Sequence, residues 1–136
     1  RQQNWEVNSP EVQSRIAIAA RCLERIQAAV QPWGGKTIVL SLPTMYGNDP
    51  FGNKIRKEVF RADYVLRPDD TRADEAIRQT AQRAGLPCHD VTAAFREAAQ
   101  KEPLFFDTHL NARGNEIYAE LITPVIESYV RKIAGR

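Results

Sequence analysis

Apolar residues recur at spacings of three and four near the start of the chain. Val12, Ile16, Ala19, Leu23, Ile26 and Val30 share one helical face, and Arg15, Arg21, Glu24, Arg25 and Gln31 are left to point into water. Ser9-Pro10-Glu11 supplies a capping hydroxyl, a proline where the missing N–H costs nothing and an acid favoured by the helix dipole. Pro32 and Gly34-Gly35 end the helix. Thr37-Ile38-Val39-Leu40-Ser41-Leu42 is then a short, nearly continuous apolar run, which predicts a central parallel strand covered on both faces. The stretch from Pro43 to Asn53 is dense in turn formers and predicts a long surface loop leaving the carboxyl end of that strand, the edge where α/β sheets bind ligands.

Further along, Lys54 to Ala62 suggests a short helix and Asp63 to Arg67 an extended segment. Thr71 stands at a helix N-cap, with Asp74 and Glu75 in the first turn. Ala73, Ala76, Ile77, Ala81 and Ala84 form a small-residue face before Gly85 closes the helix. Leu86 to Val91 is short and extended, and Asp90 is placed to cap a helix through Ala93, Ala94, Phe95 and Ala98. The last helix begins after Asn111 and carries Ile117, Leu121, Ile122, Val125, Ile126, Tyr129, Val130 and Ile133; Pro124 within it predicts a kink or a split.

This alternation predicts a single α/β domain over residues 1–136, a three-layer α/β/α sandwich on a parallel sheet. Two clear strands and a weaker third make too narrow a sheet to cover the helical faces. A partner chain or a missing N-terminal segment is therefore expected to complete it. The chain opens Arg1-Gln2-Gln3 without an initiator Met, so the N-terminus is read as cut and the fold as incomplete there.

Composition narrows the function classes. With 43% hydrophobic and 26% charged residues the chain can bury a core. A net charge of +2, spread along the sequence, does not point to nucleic acid or to an anionic membrane surface. No apolar run is long enough to span a bilayer. Cys22 and Cys88 lack a C-x-x-C spacing and read as small buried hydrophobes.

Candidate chemistry gathers at Asp107-Thr108-His109. A catalytic imidazole needs a partner on Nδ1 to fix its tautomer and stabilise the imidazolium, and Asp107 fills that role if the chain folds back between them. The plainer alternative is an ordinary loop between strand and helix. His89 sits in a strand and reads as a packed or hydrogen-bonded residue. A metal site from His89, Asp90, Asp107 and His109 has suitable ligand types without a ligand spacing, so neither metal nor cofactor is expected.

In this order, the strand ending Leu42-Pro43, the helix ending at Gly85, the strand end at Asp90 and the segment Asp107-Thr108-His109-Leu110-Asn111-Ala112-Arg113-Gly114 resemble the C-terminal portion of the SGNH/GDSL serine hydrolases, over roughly Ser9 to Tyr129. The resemblance implies a flavodoxin-like sandwich and an esterase or acyltransferase in which His109 is the general base and Asp107 orients it. It also implies that Asn111 caps the last helix and that Gly114 lets it approach its neighbour. A single residue between Asp and His looks like the branch acting on bacterial cell-surface polysaccharides. That points to O-acyl esters, O-acetyl esters among them, of a carbohydrate or small molecule, and to a periplasmic or extracellular setting ahead of a cytoplasmic one.

The sequence departs from the family in lacking a Gly-Asp-Ser block. Ser9 is a cap, Ser14 and Ser128 lie in helices and Ser41 in a strand, so the nucleophile is missing and the chain alone is expected to be inactive. Asn4 is the candidate remnant of the oxyanion hole, while Tyr46-Gly47-Asn48-Asp49 reads as a turn. Tyr46, Asn48 and Phe51 are candidates for a substrate loop, and the rings of Tyr46 and Phe51 suit sugar stacking. That feature supports the alternative of a non-catalytic carbohydrate-binding or assembly module with the same fold.

Overall fold

The computed structural model describes residues 6–43, 49–51, 71–106 and 109–135. It is a mixed α/β protein with the elements α1 (Pro10–Val30), β1 (Val39–Leu40), α2 (Arg72–Arg83), β2 (Cys88–His89), α3 (Thr92–Ala99), β3 (Phe105–Phe106), β4 (His109–Leu110) and α4 (Ala112–Ala134). They fall into two compact units. One draws on Arg1–Ser41 and Thr71–Asp90, the other on Leu42–Asp70 and Val91–Arg136.

In the first unit, α1 begins as the sequence dictates. Ser9 is its N-cap and accepts a hydrogen bond from the Val12 N–H, with Pro10 in the first turn. A 3-10 turn over Gln31–Trp33 and Gly34 in the left-handed region close it. α1 packs against α2. A polar seam ties the two together: Gln13 donates from Nε2 to Gln79 Oε1 at 2.8 Å and to the Val7 carbonyl at 2.8 Å, while Arg83 donates to Gln13 Oε1 at 2.8 Å. α2 ends where Gly85 takes φ 65°, a conformation that costs a residue with a Cβ. β1 and β2 pair in parallel, with Val39 opposite Cys88 and Leu40 opposite His89, as the alternation of helix and strand required.

The second unit is built around Phe95, Ala99 and Leu104, with Phe105, Leu110, Ile117, Tyr118 and Leu121 packed on that nucleus. The Phe95 and Phe105 rings meet edge to face, with centroids 5.7 Å apart. β3 and β4 form an antiparallel hairpin, with Phe105 opposite Leu110 and Phe106 opposite His109. α4 then leaves from Asn111, whose Oδ1 accepts the Gly114 N–H at 2.7 Å and whose Nδ2 donates to the Pro103 carbonyl at 2.8 Å.

Several expectations change. The paired strands cover two residues each rather than the six of Thr37 to Leu42 or Leu86 to Val91, because ladder bonds run only from the Val39 N–H to the Ser41 N–H. Cys22 is exposed, not buried: α1 is covered along Ile16 and Ala20, and position 22 lies on the opposite side of the helix from Ala20. Asp90 is not the cap of α3, since the N-cap position falls to Val91; the Asp90 carboxylate instead accepts from the buried Ser41 hydroxyl at 2.9 Å. Within the stretch read as a surface loop, Pro43 and Asp49 are buried. α4 runs unbroken through Pro124, so the proline does not split it. The segments 52–70, with their suggested short helix and extended run, lie outside the described residues.

Candidate active site

The hairpin that carries His109 was not anticipated, and its alternation decides where the histidine goes. Successive strand residues face opposite sides. Phe105 and Leu110, paired across the ladder, turn inward on Phe95 and Leu104, so Phe106 and His109 turn outward. Phe106 is 78% exposed and His109 is exposed beside it. The signal was present as two apolar–outward pairs, Phe105-Phe106 and His109-Leu110, separated by two residues, a hairpin spacing. Asp107 itself lies outside the described residues.

Rigidity below the histidine comes from how α4 meets the hairpin. The Asn111 N–H donates to the Leu104 carbonyl at 3.0 Å, which continues the hairpin ladder by one pair into the helix cap. Gly114 is buried in the first turn of α4, and a Cβ there would overlap the Leu104 carbonyl oxygen and lie 3.2 Å from Leu110 Cβ. Glycine is thus required for the close approach, as the sequence suggested. On the surface Arg113 bridges Glu102 and Glu116, each at 3.1 Å.

Of the other candidate residues, Phe51 is 41% exposed, while Asn4, Tyr46 and Asn48 lie outside the described residues. His89 is half-buried on β2, and next to it burial, followed by the Asp90 charge, pushes the Cys88 thiol above the ordinary cysteine range. Among the described residues no group of three or more His, Cys, Asp or Glu side chains is placed to hold a metal ion, and no helix is long and apolar enough to cross a membrane.

All four serines are described. Ser9 Oγ caps α1, Ser14 lies on α1, Ser128 donates to the Val125 carbonyl within α4, and Ser41 is 1% exposed with its hydroxyl on Asp90. None stands in an exposed turn between a strand and a helix, the setting in which a nucleophilic hydroxyl is presented.

No family model matches the chain, no curated protein matches it in sequence and no solved structure matches its fold.

Proposed function

We propose that the chain supplies the acid–base part of an SGNH/GDSL-type serine esterase or acyltransferase, with a three-layer sandwich as the fold of the complete domain. The observation that carries the reading is the outward His109 on a hairpin welded to the capped start of α4, two positions after Asp107. His109 takes the proton of a serine hydroxyl as that oxygen attacks an acyl carbonyl, then returns it to the departing alcohol oxygen. Asp107 holds the imidazole in the required tautomer and balances its charge. The serine comes from outside these residues, and the oxyanion donors come largely from there too, with Asn4 as a contributor. O-acyl esters of a carbohydrate or small molecule are the substrate class, and no cofactor takes part.

The test has two arms. The 136 residues alone are expected to leave an aryl acetate unhydrolysed, and turnover blocked by a serine-directed phosphonate would place the nucleophile among them after all. In a polypeptide that carries the serine, His109→Ala is expected to lower kcat by about 10⁴-fold and Asp107→Asn by a similar factor. Turnover within tenfold of the parent would overturn the assignment.

The absence of any presentable serine favours a second reading for the chain by itself, a carbohydrate-binding module. Titration with acetylated and deacetylated glycans separates the two, because a binder retains affinity without releasing acetate.

A further inference from the structure

Two side chains share the outward face of the β3–β4 hairpin, and the esterase reading uses one of them. Phe106 is paired directly opposite His109 across the ladder, and cross-strand partners on one face hold their Cβ atoms about 5 Å apart. A lone exposed phenylalanine is common on protein surfaces and by itself means little. This one has a fixed address. Its neighbour Phe105 turns inward, edge to face with Phe95, whereas Phe106 is 78% exposed beside the imidazole. The ladder that sets the pair continues into the Asn111 cap through the Leu104 carbonyl, so the ring and the imidazole stand on one frame.

The direction of proton transfer decides what lies against that ring. A base that returns its proton to the departing alcohol oxygen must stand within hydrogen-bond reach of that oxygen, about 3 Å. The acyl carbon lies one bond further off, toward the serine that attacks it. The part of the substrate nearest His109 is therefore the alcohol, and a side chain directly across the ladder from His109 meets the alcohol before the acyl group. A phenyl ring offers an electron-rich apolar face and no hydrogen bond, so its match is an alcohol with a flat C–H surface. A β-glucoside has one: its hydroxyls are equatorial, and its axial C–H bonds, the slightly positive ends of the molecule's apolar faces, point at whatever it stacks on.

We infer that Phe106 is the specificity-determining residue for the alcohol half of the ester. A pyranose ring stacks on it through a C–H face as the acyl C–O bond breaks and the His109 imidazolium passes its proton to the sugar oxygen. The inference rests on the esterase reading and adds which half of the substrate the hairpin grips.

The experiment compares methyl 6-O-acetyl-β-glucopyranoside with ethyl acetate in the polypeptide that carries the serine. The two esters share an acetyl group and a primary alcohol and differ in the pyranose ring. Phe106→Leu keeps an apolar side chain at an exposed position, so the fold is not at stake. It is expected to lower kcat/KM for the glucoside about tenfold and to leave ethyl acetate within about twofold, and Phe106→Trp is expected to retain the glucoside activity. Equal loss with both esters, as when the serine-bearing segment itself covers the ring, or no loss with either, overturns the inference and leaves the esterase reading intact. So does a Phe106→Leu effect that follows acyl length in a comparison of acetyl and butyryl glucosides. Turnover that survives His109→Ala overturns the esterase reading instead. The stacking is then read on the 136-residue chain by saturation-transfer NMR: transfer to the axial C–H protons of the glucoside is expected in the parent and lost in Phe106→Leu. Transfer that persists in the variant, or is absent from the parent, overturns it.

Discussion

In the hairpin unit Phe95 and Leu104 are sealed at 0% and 1% exposure by residues from α3, β3, β4 and α4, whereas in the α1–α2 unit the apolar side chains of two helices line an open trough. Both regions use amphipathic helices of ordinary pattern. What differs is what the helices rest on. The hairpin turns Phe105 and Leu110 into a ready platform for α4, and it closes locally, between residues 104 and 111. Among the described residues, the two strands under α1 and α2 give a platform only two residues long. An apolar helical face therefore states that it will be covered without stating by what, and the answer depends on how many strands are at hand.

The largest effects should come from cutting into the sealed region. Phe95→Ala is expected to cost about 4 kcal/mol, because a large side chain leaves a cavity its neighbours cannot collapse into. Ile16→Ala, at a residue equally inaccessible but on the wall of an open trough, is expected to cost about 2 kcal/mol, since part of the space is already there. Urea denaturation of both variants measures the difference, and equal costs would break the contrast between closed and open regions. Gly114→Ala follows at about 3 kcal/mol, because the added methyl must displace either α4 or the Leu104 carbonyl. A loss below 1 kcal/mol would mean that the helix start is free to shift, and the rigid seating of His109 would go with it.

Capping residues give a smaller version of the same comparison. Asn111 closes two bonds, to the Gly114 N–H and the Pro103 carbonyl, whereas Ser9 closes a single long one of 3.4 Å to Val12. Asn111→Ala is thus expected to cost about 1.5 kcal/mol and Ser9→Ala about 0.5 kcal/mol. Thermal melts of the two variants give the ranking, and a larger loss at Ser9 would reverse the picture of which unit is better fastened.

Helices were the legible part of this sequence. Ser9-Pro10, Thr71, Gly85 and Asn111 stand at the ends they signalled, because caps are set by one or two residues and their own backbone. The hairpin was harder to see, since two residues per strand is too short for a period-2 pattern to stand out from a loop. Asp90 carried a cap signal that a distant residue outcompeted: burying the Ser41 hydroxyl required an acceptor, and that partner is 49 positions away along the chain. Cys22 was misjudged on residue type, when its angular position on α1 was the better guide. At the candidate site, Asn111 was legible as a cap from local rules and the close approach at Gly114 only through the family resemblance, while the outward aim of His109 depended on a pairing register that no single position encodes.

The smallest predicted effect concerns the two thiols of the open unit. Cys22 is exposed on α1, whereas Cys88 is half-buried on β2, where burial and then the Asp90 charge disfavour its thiolate, with Arg78 offsetting part of this. At pH 8 iodoacetamide should modify Cys22 several-fold faster than Cys88, read by mass spectrometry of the partly labelled chain. The same shift fixes a sign for stability. A thiol raised above its unfolded value favours folding below that value and loses the contribution as pH rises through the folded one, so the chain should weaken above about pH 9. Cys88→Ala should flatten that alkaline decline. Equal labelling of the two thiols would show that β2 is as open to water as the outer face of α1, and that the open region extends beyond its groove.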